Sequence, residues 1–83
     1  MSVKEITDRA FINKTDFIEL MSLNGVGQAV AKDMWKVVQK RVETLLYELG
    51  KVLPSKRNYP TDLVLVSLEE YYGITKRSLR RMK

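Results

Sequence analysis

The 83-residue sequence predicts a single domain that is mainly α-helical and carries one small β-hairpin. Two observations favour this fold class. Apolar residues recur at steps of three and four over residues 28–49, which is the period of a long amphipathic helix. The period then changes, because residues 51–66 combine two short β-favouring segments with a polar loop. We therefore expect helices first and a hairpin after them.

The first helix is expected to follow an N-terminal arm, residues 1–13, which shows no strong period and holds at most a short ordered piece. Asn13 or Thr15 can cap this helix. Its apolar residues fall near one face, and they are Phe17, Leu20, Met21 and Leu23. The sequence "NGVG" at residues 24–27 places two glycines around one valine, which is typical of a tight turn between helices.

The second helix is expected to run from Gln28 to Leu49 and to end at Gly50. Residues four apart on a helix stack on one side, and this spacing predicts one polar stripe. The stripe contains Gln28, Lys32, Lys36 and Lys40. A stripe of this kind is equally typical of a solvated helix face.

The hairpin is predicted from the segments "KVLP" and "LVLV", with the loop "SKRNYPTD" between them. Pro54 and Pro60 lack a backbone N–H, so we expect them at a strand end or in the loop. Ser67 and Glu70 have the spacing of a capping box for a short helix, which Gly73 is placed to end.

The last residues, 75–83, form a basic tail for which two structures stay open. Thr75 can cap a short basic helix, with Ile74 and Leu79 in the positions of a hydrophobic staple. A disordered basic segment is the alternative. The domain proper is therefore expected to span residues 14–74.

The net charge of +5 lies entirely in the last third of the chain. Residues 1–50 contain seven basic and seven acidic residues, whereas residues 51–83 contain eight basic and three acidic residues. A basic excess of this kind suits a polyanionic partner such as double-stranded DNA.

The residue types that the sequence lacks exclude several kinds of functional site. The sequence contains no Cys and no His, which excludes disulfides, zinc sites of the Cys/His kind and an imidazole base. No pair of acids stands in an apolar context, so we expect no enzymatic activity, no metal and no cofactor. We find neither a signal-peptide pattern nor a membrane-span pattern, and we expect a cytoplasmic protein of a prokaryotic host cell.

The predicted order of helix, glycine turn, long helix, two-stranded wing and short helix is that of a winged helix-turn-helix. The stretches "TDFIELMSLNGVGQAVAKDMWKVVQKRV" and "LPSKRNYPTDLVLVSLEEYYGI" resemble the small excisionase-like winged-helix proteins of phages and integrative elements. The resemblance implies a protein that binds double-stranded DNA next to a site-specific recombinase. It would bias recombination toward excision or act in transcription. A homo-oligomer on DNA is compatible with it. The second helix departs from the family pattern, because it is longer than groove reading needs.

The resemblance assigns DNA-binding residues by position. The face that enters the major groove carries Gln28, Lys32, Lys36 and Lys40. The wing tip, which is expected to touch phosphates and the minor groove, consists of Lys56, Arg57, Asn58 and Tyr59. The tail is expected to add non-specific attraction through Lys76, Arg77, Arg80 and Arg81.

The aromatic residues divide into two groups. Tyr59 lies in the basic loop and is the best candidate for contact with DNA, whereas Trp35 falls in the apolar stripe of the long helix and is expected in the core. The other tyrosines adjoin helical apolar faces and are expected at the rim or in the core, and they are Tyr47, Tyr71 and Tyr72.

Two alternative functions stay open. The segment "LNGVGQAVAKDM" also resembles a helix-hairpin-helix, in which a Gly-apolar-Gly turn aims backbone N–H groups at a DNA phosphate without reading sequence. A protein-interaction adaptor that docks or dimerises through the long helix, residues 28–49, is the third possibility.

Overall fold

The computed structural model describes residues 2–52 and 57–82, except for the side chains of residues 80–82. Along the chain the elements are α1 (Val3–Thr7), β1 (Phe11–Ile12), α2 (Lys14–Leu23), α3 (Gln28–Glu48), β2 (Tyr59–Pro60), α4 (Thr61–Tyr72) and α5 (Lys76–Met82). The prediction of a mainly helical domain with a small β component is confirmed.

The N-terminal arm contains a short capped helix that packs into the core. The Ser2 hydroxyl accepts a hydrogen bond from the Glu5 amide at 3.2 Å, and the Glu5 carboxylate accepts one from the Ser2 amide at 2.9 Å. This reciprocal pair starts α1 and lowers the pKa of the Glu5 carboxyl. Val3 and Ile6 are buried on the inner face of α1, so the arm belongs to the domain.

Asn13 caps α2, because its side-chain oxygen accepts a hydrogen bond from the Asp16 amide at 2.9 Å. Phe17, Leu20 and Met21 are fully buried, as their helical spacing predicted, whereas Leu23 at the end of the helix is exposed. The glycine turn then follows as expected. Gly25 has a φ of 82°, a left-handed backbone conformation that residues other than glycine rarely adopt.

The long helix has the predicted bounds to within one residue. α3 spans Gln28–Glu48, and Gly50 directly beyond its cap has a φ of 69°. Its buried face is Ala31, Met34, Trp35, Val38, Val42 and Leu46. The C-terminal turns of α3 therefore pack into the core through Val42 and Leu46, which accounts for the length of this helix.

The predicted hairpin over residues 51–66 is wrong in its second strand, because "LVLV" lies inside α4. Thr61, Val64 and Leu68 are buried at helical spacing, whereas Val66 is exposed. Packing of this face overrides the β preference of the β-branched residues. Ser67 is no helix cap, since it lies within α4, is fully buried, and donates a hydrogen bond to the Leu63 carbonyl at 2.9 Å.

The two described strands form a small antiparallel sheet. Phe11 lies opposite Pro60 and Ile12 opposite Tyr59, so β1 ahead of α2 pairs with β2 after α3. Pro60 ends its strand, as expected of a residue without an N–H. Pro54 and the first predicted strand, apart from Lys51 and Val52, lie outside the described residues.

Gly73 ends α4 with a φ of 66°, which confirms its predicted role. α4 also contacts α3 through a two-pronged ion pair, in which the Arg41 guanidinium donates to the two Glu70 oxygens at 3.0 and 3.1 Å. This hydrogen-bonded contact lowers the pKa of the Glu70 carboxyl and raises that of Arg41. Because Glu70 is exposed and Arg41 is partly exposed, the pair orients the helices more than it stabilises them.

Of the two structures left open for the basic tail, the short helix is the one observed. The Thr75 hydroxyl accepts a hydrogen bond from the Ser78 amide at 3.0 Å and so caps α5. Leu79 is fully buried, and Ile74 packs against the same core. The C-terminal basic segment is therefore docked on the domain.

The docking of α5 predicts that Leu79→Ala destabilises the protein by about 2 to 3 kcal/mol, because a filled core site becomes a cavity. Urea unfolding measures this free energy. Leu49→Ala is the matched control, since the Leu49 side chain is exposed, and we expect a change within about 0.5 kcal/mol. Equal stability of the two variants would contradict a docked α5.

Candidate nucleic-acid interface

The polar stripe of α3 is exposed along its whole length, as predicted. Gln28, Lys32, Lys36 and Lys40 are all exposed. On the other side of the helix, Ala31 and Val38 are fully buried. A step of four residues turns about 40° around a helix axis, so the stripe winds gradually across the exposed side.

Three aromatic rings set the position of α3. The Phe17 ring of α2 lies 5.0 Å from the Trp35 ring of α3, measured between centroids. The Tyr59 ring of β2 meets the Trp35 ring edge-on at 5.4 Å. Trp35 and Tyr59 are almost fully buried. The start of α2, the middle of α3 and β2 are thereby packed around one tryptophan.

A cleft of about 510 Å³ opens beside this aromatic cluster. Its lining residues are Asn13, Lys14, Thr15, Trp35, Lys36, Gln39, Arg57 and Tyr59. Three of them are cations, one each from α2, α3 and the segment that leads into β2. None of these lining residues is acidic, so cations outnumber acids in the described lining of the cleft.

The Tyr59 side chain is part of a hydrogen-bonded chain on the wall of the cleft. Gln39 Nε2 donates to the Tyr59 oxygen at 2.6 Å, and the Tyr59 hydroxyl donates to Glu43 Oε2 at 3.0 Å. Burial is the main cause that raises the pKa of the Tyr59 hydroxyl, and the bond to Glu43 acts in the same direction. The neutral phenol thus joins β2 to α3.

The predicted role of Tyr59 as a ring that projects toward DNA is wrong, because only 2% of its surface is exposed. The other tyrosines were expected at the rim or in the core, and none of them lies in the core. Tyr47, Tyr71 and Tyr72 are exposed. The burial of Tyr59 follows from the sheet register, because Tyr59 faces the same side as its buried partner Ile12.

The remaining predicted wing and tail residues divide by position. Arg57 and Asn58 are exposed, and Arg57 lines the cleft. Lys76 and Arg77 are exposed on α5 and do not line the cleft. Lys56 lies outside the described residues, and so do the side chains of Arg80 and Arg81.

Sequence reasoning missed the contribution of the start of α2. Lys14 and Thr15 follow the Asn13 cap and line the cleft together with Gln39. The cap itself was recognised, and it was the available signal, because the residues after a cap lie at the exposed N-terminal end of a helix. Their proximity to Lys36 depends on how α2 packs on α3, which the sequence pattern does not give.

Two amides of the glycine turn donate within the turn. The Gly25 amide donates to the Ser22 carbonyl at 3.0 Å, and the Val26 amide donates to the Met21 carbonyl at 2.9 Å. At the start of α3, Gly27 is the N-cap and no side chain caps the helix. A helix-hairpin-helix would direct amides of such a helix start at a phosphate, so this alternative stays open.

Removal of the Tyr59 hydroxyl tests its structural role. We expect Tyr59→Phe to lower the free energy of unfolding by about 1 to 2 kcal/mol, because Gln39 and Glu43 both lose a partner. Tyr47→Phe is the matched control at an exposed site, and urea unfolding compares the two. A Tyr59→Phe variant as stable as Tyr47→Phe would contradict the hydrogen-bonded arrangement.

The raised pKa of Tyr59 predicts a loss of stability at high pH. Its contribution is complete below the pKa of an unfolded tyrosine, about 10, and is lost as the pH rises through the higher folded-state value. Above about pH 10 the wild type should therefore lose stability faster than Tyr59→Phe, as followed by urea unfolding at a series of pH values. Parallel profiles for the two proteins would argue against a raised pKa.

Comparison with known proteins adds no family assignment. No protein-family model matches the chain, and no curated protein or solved structure matches it at a significant level. Within the described residues, no three His, Cys, Asp or Glu side chains are grouped as metal ligands would be. No helix in the described part of the chain has both the length and the apolar character that crossing a bilayer requires.

Proposed function

We propose that this domain binds double-stranded DNA as a helix-turn-helix, with the first half of α3 in the major groove. The observation that carries the proposal is the continuity of the exposed stripe with the basic cleft. Lys36 belongs to both, since it lies on the stripe with Gln28 and Lys32 and lines the cleft with Lys14 and Arg57. Such a surface matches a groove edge beside a phosphate backbone.

The exposed groups on α3 suit the edges of base pairs. Gln28 can pair with adenine through two hydrogen bonds, and Lys32 and Lys36 can donate to guanine or to a phosphate. Ala29 is exposed between them and is small enough to let the helix approach the groove closely. The major groove is about 12 Å wide and accepts one helix.

The winged form of the motif is also part of the proposal. β2 is held by β1 on one side and by the Tyr59 hydrogen bonds to α3 on the other. Arg57 and Asn58 directly precede β2 and are exposed. A wing built on this base would place its basic residues over the backbone next to the groove that α3 occupies.

The biological role that we propose is that of an excisionase-like protein of a mobile element, acting on recombination direction or on transcription. Support comes from the resemblance of the winged-helix segments and from the small, basic, single domain. Such a protein would bind preferentially to the attachment or promoter region of its own element, beside a site-specific recombinase. Competition between that DNA and random duplexes tests this preference.

A second candidate function is favoured by the far side of α3. Val30 and Val37 are exposed and lie seven residues apart, on nearly the same side of the helix. A protein-interaction adaptor or a homodimer would bury such residues. A stable dimer in sedimentation, together with no DNA binding at low salt, would favour this function over the first.

DNA binding is tested by removing cations from the stripe. We expect Lys32→Ala and Lys36→Ala each to weaken binding to the preferred duplex about tenfold, because each loses a base or phosphate contact. A change that removes a phosphate contact should also lower the slope of log affinity against log salt by about one. Fluorescence anisotropy with a labelled duplex measures both quantities.

Lys51→Ala is the matched control for this experiment. Lys51 is exposed and follows the C-terminal end of α3, whose 21 residues place it about 30 Å from Gln28. Its affinity and salt slope should equal those of the wild type. If the stripe variants behave like Lys51→Ala, the major-groove assignment of α3 is incorrect.

A further inference from the structure

The cleft beside α3 is large enough to hold a small molecule, which a surface that only contacts a DNA groove does not require. Its volume of about 510 Å³ lies within the range of small-molecule sites, about 300 to 1,000 Å³. The walls come from three elements that the aromatic cluster holds together. Trp35 and Tyr59 are almost fully buried, so only a small part of each ring reaches the base of the cleft, and packing holds both rings in place.

The charge in the cleft selects an anion. Lys14, Lys36 and Arg57 line it from three separate segments. Of the carboxylates near this region, Asp16 pairs with Arg9 at 2.9 Å, and Glu43, which accepts the Tyr59 hydroxyl at 3.0 Å, keeps its negative charge. The three lining cations outnumber it. The guanidinium fork of an arginine matches phosphate geometry, and lysine supplies mobile point charge.

Neutral donors complete the lining. The Asn13 and Thr15 side chains flank Lys14 at the start of α2, where the positive end of the helix dipole adds to the field. Gln39 donates one hydrogen bond to Tyr59, which fixes its amide on the cleft wall. The combination of cations and neutral donors suits a phosphate group.

We propose that this cleft is a binding site for a nucleotide phosphate. The phosphate has two possible sources, which share this chemistry: the backbone of a bound duplex, or a free mononucleotide. The backbone source rests on the proposed function, whereas the free-nucleotide source does not. Arg57 and Lys14 hold the phosphate in either case, and Lys36 is shared between the cleft and the α3 stripe.

Trp35 provides the readout, because it is the only tryptophan in the sequence and lines the cleft. Its fluorescence is titrated with deoxyadenosine monophosphate, inorganic phosphate, deoxyadenosine and a short duplex. Deoxyadenosine lacks the phosphate and serves as the ligand control. We expect a saturable change with the mononucleotide or with the duplex, and none with deoxyadenosine.

The protein variants compare residues inside and outside the cleft. Arg57→Ala and Lys14→Ala should raise the dissociation constant of the responding phosphate ligand about tenfold. Lys4→Ala, on the exposed side of α1, should leave it unchanged. Circular dichroism confirms that each variant is folded, and Arg57→Lys should restore part of the affinity, since it returns the charge without the fork.

The outcomes separate this inference from the proposed function. One set of results would overturn the cleft assignment and leave DNA binding intact. In that set, Lys32→Ala weakens duplex binding, Arg57→Ala and Lys14→Ala behave as Lys4→Ala, and no phosphate ligand alters Trp35 fluorescence. A mononucleotide response that depends on Arg57 and Lys14, without any duplex binding, supports the cleft through its free source and contradicts the proposed function. Loss of duplex affinity in both cleft variants supports the backbone source.

Discussion

The packing of Trp35 against Phe17 and Tyr59 is the contact on which the rest of the structure depends. The ring centroids lie 5.0 and 5.4 Å from that of Trp35, and each ring comes from a different element. A domain of 83 residues has little core to spare, so three large rings supply much of the area that fixes α2, α3 and β2 together. Cavity formation at Trp35 would release all three elements.

The same contact organises the surface, because each ring has a cation close to it in the chain. Lys14 precedes Phe17 by three residues, Lys36 directly follows Trp35, and Arg57 stands two residues before Tyr59. Because the three rings pack together in the core, the three cations next to them in the chain line one cleft. Mutual repulsion of these cations disfavours the arrangement, and the aromatic packing together with the Tyr59 hydrogen bonds offsets it.

Local signals predicted α2, the glycine turn and α3 correctly, because caps and helical periodicity act within a few residues. "LVLV" was misassigned since its composition favours a strand, although Thr61, Val64 and Leu68 have helical spacing after Pro60. The burial of Tyr59 depends on pairing with β1, about 47 residues earlier in the chain. No local pattern encodes such a pairing, so the exposed stripe was predictable whereas the cleft was not.

In the proposed DNA-binding mode, two parts of α3 would make different kinds of contact. Phosphate contacts fix the register of a protein on DNA, and base contacts then read sequence within that register. Lys14 and Arg57 line the cleft together with Lys36, and buried rings next to them in the chain pack on α3. A phosphate bound in the cleft would therefore fix the position of Lys36, apart from the freedom of its own side chain. Lys32 and Gln28 lie about one and two turns nearer the N-terminus of the same helix. Their position in the groove would thus be determined by a contact made outside it.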